Sequence, residues 1–169
     1  PARAIELWQR AADALAPTHD HLVRLHRGGD AAALAGAYAA WAETEPEPRS
    51  AAALWSARGI VDLNRGDFIE AEESLARAAK LAPTDPFCRA ALAEVYREDK
   101  RFDQLAGVLA ELAACLTSRE ARGAATREHA ELLDEQLGDP SAARAALERT
   151  LADRPDDLDA MLALAKLCD

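Results

Sequence analysis

Aromatic residues make up only 5% of this 169-residue chain, and asparagine occurs once, as Asn64. Val, Ile, Phe and Tyr are few beside Ala and Leu, which leaves little material for strands and much for helices. Cysteine is limited to Cys88, Cys115 and Cys168, far apart and without CxxC spacing. An odd count with no framework fits a reducing compartment such as the cytoplasm better than a disulfide scaffold. No run of about 18 apolar residues encodes a membrane span. Basic residues are outnumbered 20 to 30, for a formal net charge of −10. No basic patch relieves the repulsion that a phosphate backbone would meet, so nucleic acid is not an expected partner.

Catalytic motifs are missing too. There is no GxSxG, Walker-type loop, HExxH or GxGxxG, and Gly28-Gly29 lacks the Lys or Thr of a phosphate loop. His19, His21 and His26 do not supply the i, i+4 pair that helical zinc sites use, since an HxH pair on a helix diverges by about 200°. They read as a solvated helix start. His129, between Thr126 and Leu133, reads as a partly buried structural histidine. The expectation is a non-enzyme with no catalytic residues, no cofactor and no metal.

What the chain does have is punctuation. Gly29-Asp30, Gly66-Asp67 and Gly138-Asp139-Pro140 recur at intervals of 37 and then 72 residues. A fourth corner, Lys100-Arg101-Phe102-Asp103, puts Lys where the others have Gly. At such a corner Gly takes the left-handed conformation that closes one helix, and the Asp can cap the next. Pro140 suits a first helical turn, where no backbone donor is needed. Between the corners, Leu54, Ala57, Val61 and Asn64 step by three and four, as do Leu92, Val95 and Tyr96 on the next leading helix. Four helix pairs are predicted: 18–27 with 30–45, 50–65 with 67–82, 85–99 with 101–116, and 118–137 with 139–153. Asp85 caps the third pair with Pro86 in its first turn, and Thr117 with Glu120 has capping-box spacing for the fourth. Pro1 to Ala11 reads as a second helix without its leader, and Leu158–Leu167 as a leader without its partner. These ends predict an excerpt of a longer array, or half-repeats that act as caps.

Residues 52–85 make the repeat recognisable. Trp55, Gly59, Leu63, Phe68, Ala71, Leu75, Ala78 and Pro83 resemble the tetratricopeptide (TPR) pattern. The likeness is strong over 52–85, continues through 86–169, and is loosest before residue 50. Ala71-Leu75-Ala78 fits the small–apolar–small pattern of the second helix, Ala143-Leu147-Thr150 nearly fits, and Leu105-Leu109-Leu112 keeps only the apolarity. Leu34-Tyr38-Trp41 departs most: Trp41 occupies the slot of Ala78 and should push its neighbour outward. With a short leading helix and a loop over 45–50, this predicts an irregular repeat around 17–50.

The resemblance implies an all-α, right-handed superhelix of antiparallel helix pairs, with about four full repeats and half-repeats at both ends, as one domain over 1–169. It also implies that leading helices line a concave groove. Carried over by register, the groove face comprises Ser56, Ile60 and Asn64, then Phe87, Ala90, Glu94, Arg97 and Glu98, then Arg127, Glu131, Asp134 and Glu135. Glu94, Glu98, Glu131, Asp134 and Glu135 would form an acidic wall suited to a basic peptide. The acid excess supports this, at 12 against 9 bases before Asp85 and 18 against 11 from there on. With one Asn and an acidic groove, neither a carboxylate clamp nor an asparagine ladder is expected. The implied function is a protein-binding scaffold. The alternatives are a docking region of a larger enzyme and a self-associating assembly module. Abundant Ala and the preference for Arg over Lys suggest a GC-rich bacterial genome.

Overall fold

The computed structural model describes residues 29–167, and 81% of these lie in eight α-helices with no strand among them. The helices are α1 (Ala31–Thr44), α2 (Pro48–Arg65), α3 (Phe68–Leu81), α4 (Pro86–Glu98), α5 (Phe102–Cys115), α6 (Arg119–Glu135), α7 (Pro140–Asp153) and α8 (Leu158–Lys166). They are the predicted antiparallel repeat helices, with ends displaced by one or two residues. The predicted helices before residue 28, with His19, His21 and His26, lie outside the described residues.

The corners work largely as their residues dictate. Gly66 and Gly138 close α2 and α6 at φ 80° and 63°, in the left-handed region. Lys100 holds the same region at φ 57° with a full side chain. Asp30 and Asp139 accept from the backbone N–H groups of Ala32 and Ala142 at 2.8 and 2.9 Å, and Asp85 accepts from that of Phe87 at 2.9 Å. Asp67 does not cap α3. Its carboxylate is drawn instead to Arg65, 2.8 Å away. Nor is Thr117 the cap of α6, because Ser118 fills that role with its hydroxyl 3.3 Å from Ala121 N. The predicted loop over 45–50 is shorter than expected. Pro48 already sits in the first turn of α2, and the Glu47 carboxylate accepts from Arg49 N and Ser50 N. Those hydrogen bonds, Ser50's foremost, hold the Glu47 carboxyl below its ordinary range.

The chain forms two compact units, one up to Ala91 and one from Leu92, so the division falls inside α4. In the first, α2 packs on both α1 and α3. Its core joins Ala42, Ala52, Trp55, Ala78 and Cys88. Leu75 is fully buried, and a Cβ built at Gly59 would lie 2.5 Å from Leu75 Cγ. The missing side chain is what lets α3 approach α2. Trp41 does not take the alanine slot: it lies half-buried among Leu34, Leu54, Ala57 and Val61 around Tyr38. Ala42, one residue on, reaches the Trp55 cluster. The small residue was present, one position off the repeat register. Arg77 stacks over Trp55 at 4.7 Å and Arg58 at 5.5 Å.

The inner carboxylate of this unit is Asp62, 2% exposed. Arg58 and Arg65 approach it at 3.3 and 3.4 Å, yet burial outweighs them and pushes its carboxyl above the usual range.

In the second unit α6 packs on α5 and α7, and α8 on α7. Its core joins Ala130, Ala143, Ala146, Leu147 and Ala160, flanked by Leu133, Leu151 and Leu164. The Ala143-Leu147-Thr150 pattern is buried as predicted. In α5, Leu105 and Leu109 are buried, whereas Leu112 is only half-buried.

Candidate partner-binding cleft

One carboxylate organises the far end of the second unit. Asp157 precedes α8 and accepts from Ala160 N at 3.1 Å, which caps that helix. The same side chain, 3% exposed, accepts both Arg127 contacts at 3.0 and 3.2 Å and meets Arg154 at 3.2 Å. A buried carboxylate needs such partners, since desolvation otherwise costs more than the fold can offset. Space for this network comes from Gly123, where a Cβ would meet Arg154 Nη1 and Asp157 Oδ2 at 3.1 Å each.

The network holds Arg127, which lines a cleft of about 370 Å³ between α6 and α8. Its lining includes Arg127, Glu131, Asp134 and Glu135 of α6 and Asp159, Leu162 and Lys166 of α8. Arg127 is already balanced by Asp157 and lies 3.7 Å from Asp159. Four acids, Glu131, Asp134, Glu135 and Asp159, thus line the cleft against two bases, Arg127 and Lys166, and the cleft is electronegative. Beside it α8 exposes Leu158, Met161 and Leu162 at 70, 43 and 63%. The cleft thus offers charge for a cation and an apolar shelf next to it.

The structure brings together four of the residues expected from sequence, and handles the others differently. Glu94 pairs with Arg97 at 2.6 Å, and Arg97 also pairs with Glu128. This ties α4 to α6 and neutralises part of the predicted wall. Glu98 is exposed at the end of α4. In the first unit Asn64 and Ala90 are exposed, Ile60 is half-buried, and Phe87 is 55% exposed. Ser56 is not a surface residue. It is 4% exposed, donates to Ala52 O at 2.8 Å and touches Cys88 Sγ at 3.3 Å. Burial pushes the Cys88 thiol up. Sequence reasoning missed Asp159, Leu162 and Lys166 because the groove register stops at α6, although Leu158–Leu167 reads as a leading helix. Extending the register onto that leader finds them. Among the described residues no helix is long and apolar enough to cross a membrane, and no group of three or more His, Cys, Asp or Glu could hold a metal.

No family model matches the sequence, and no curated protein does. Solved structures do match. The C-terminal part of a TPR repeat-containing protein from Cytophaga hutchinsonii aligns at TM-score 0.60 and 16% identity, over 95% of this chain and 66% of that one. A MamA RS-1 ArsTM double mutant aligns at TM-score 0.57 and 16% identity, over 96% and 82%. BtubC (BKLC) from P. vanneervenii aligns at 0.56 and 18%, over 98% and 79%. At such identities the likeness concerns architecture, and it agrees with the paired helices, the glycine corners and the Ala71-Leu75-Ala78 packing. The chain is an all-α repeat protein of the tetratricopeptide fold.

Proposed function

We propose that this chain is a protein-interaction scaffold, without catalysis of its own, that holds a basic partner segment in the cleft between α6 and α8. The observation behind this reading is the four-acid lining of Glu131, Asp134, Glu135 and Asp159 beside the exposed Leu162. A segment carrying Arg or Lys next to one large aliphatic residue complements both halves. In this reading Glu94, Arg97 and Glu98 of the same unit belong to the partner-binding surface.

The test is selection of random displayed peptides at low ionic strength. Enrichment of Arg and Lys beside Leu or Ile is expected, with loss of those binders in a Glu131→Lys/Asp134→Lys/Glu135→Lys variant that melts like the parent. Selected peptides without basic enrichment, or binders that the variant retains, refute the reading. A weaker grip as salt rises is also expected, because the cleft is open to solvent.

A second reading is self-association, favoured by the exposed Leu158, Met161 and Leu162 on one helix. Light scattering over a concentration series separates the two. A strictly monomeric protein at high concentration excludes the second, and a dimer abolished by Leu162→Glu supports it. A docking role within a larger enzyme is the third, and it shares the cleft with the first.

A further inference from the structure

The charge reverses on the other face of α6. A pocket of about 200 Å³ lies there between α5, α6 and α7, floored by alanines of α5 and by Gly123. Its walls carry Arg119, Arg122, Arg149, Arg154 and His129, against one carboxylate, Asp153. In a chain of net charge −10 this is an unusual gathering of cations.

Two of the arginines are held by the protein. Arg122 donates from Nε and Nη2 to Leu116 O at 3.3 and 3.0 Å and meets Asp153 at 3.1 Å. Arg154 is bound to Asp157. That engages the single carboxylate of the lining. Arg119 and Arg149 have no carboxylate partner among the described residues and are exposed. Burial, and then the charge of Arg149, hold the His129 imidazole below its ordinary value and so favour its neutral form, which can donate a hydrogen bond.

We infer that this pocket binds a phosphate group, either free phosphate or a phosphate monoester, with Arg119 and Arg149 as the ligand-gripping residues and Arg122 and Arg154 as the fixed field behind them. Guanidinium forks match phosphate oxygens two at a time. The volume equals about six or seven waters, enough for the group and a few attached atoms. No comparable constellation was legible in sequence, because its arginines are spread over residues 119–154 without a repeating interval.

The experiment is an NMR titration of the whole chain with three probes: inorganic phosphate, a phosphoserine peptide, and the same peptide unphosphorylated. Both phosphate forms are expected to shift the Gly123, Thr126 and His129 resonances and to raise the His129 pKa. In Arg119→Ala/Arg149→Ala the dissociation constants should rise about tenfold or more, with an unchanged melting temperature because neither residue has a carboxylate partner to lose. Arg→Lys at both positions should recover part of the binding. Tighter capture of the phosphopeptide supports the site and identifies its source as a modified partner, and tighter capture of inorganic phosphate supports it with a free ligand. The inference is overturned if the unphosphorylated peptide binds as well, if neither phosphate form moves those resonances, or if the double alanine variant binds undiminished.

Discussion

Asp157→Ala is expected to lower the unfolding free energy by about 3–5 kcal/mol, the cost of removing one partner from a buried charge network. Two guanidinium groups lose their common counter-ion, and α8 loses the cap at Ala160 N. Both arginines keep some solvent contact, at 21 and 27% exposure, which favours the lower part of that range. Asp157→Asn separates the contributions. Its amide oxygen can still cap the helix, while the charge is gone, so its loss should be the smaller one. Urea titrations of the three proteins read this directly. A variant within 1 kcal/mol of the parent would show that the network is incidental to the fold.

The second large effect is at the contact of α2 with α3. Leu75→Ala, at a fully buried position, should cost about 2–5 kcal/mol. Gly59→Ala should also destabilise, by about 1–2 kcal/mol, although alanine is the better helix former by about 1 kcal/mol. The added methyl would lie 2.5 Å from Leu75 Cγ, and the helices cannot both keep their places. Because the two substitutions act on the same few cubic ångströms, they should not add. The double variant should be more stable than the sum predicts by about 1 kcal/mol or more. Additive losses in a denaturation series would mean that Gly59 is not a spacer.

These two sites also mark how far the sequence could be read. Gly59 stood out because the repeat pattern asks for a small residue there, and the corners stood out because Gly, Asp and Pro act on the backbone next to them. Burial set by a neighbouring helix was harder. Trp41 and Ala42 differ by 100° of helix rotation, and only the position of α2 decides which turns inward. Ser56 fell on the predicted groove face by register, yet it meets Cys88 in the interior. The cleft was half legible: α6 followed the register, and α8 contributed Asp159, Leu162 and Lys166 unanticipated. Asp157 itself resembled any acid in a turn. Its role depends on Arg154, three residues before it, and on Arg127, 30 residues earlier, a separation that no local pattern encodes.

Asp157 touches Arg127, which lines the acidic cleft, and Arg154, which lines the arginine pocket. One counter-ion therefore serves two faces of the same helix. A phosphate beside Arg154 would compete with Asp157 for that guanidinium and leave Arg127 a larger share of the carboxylate. Thermodynamic reciprocity then requires that whatever factor one occupant changes in the other's affinity is returned in full. Through this one side chain, occupancy of the proposed phosphate pocket would be coupled to occupancy of the proposed partner cleft.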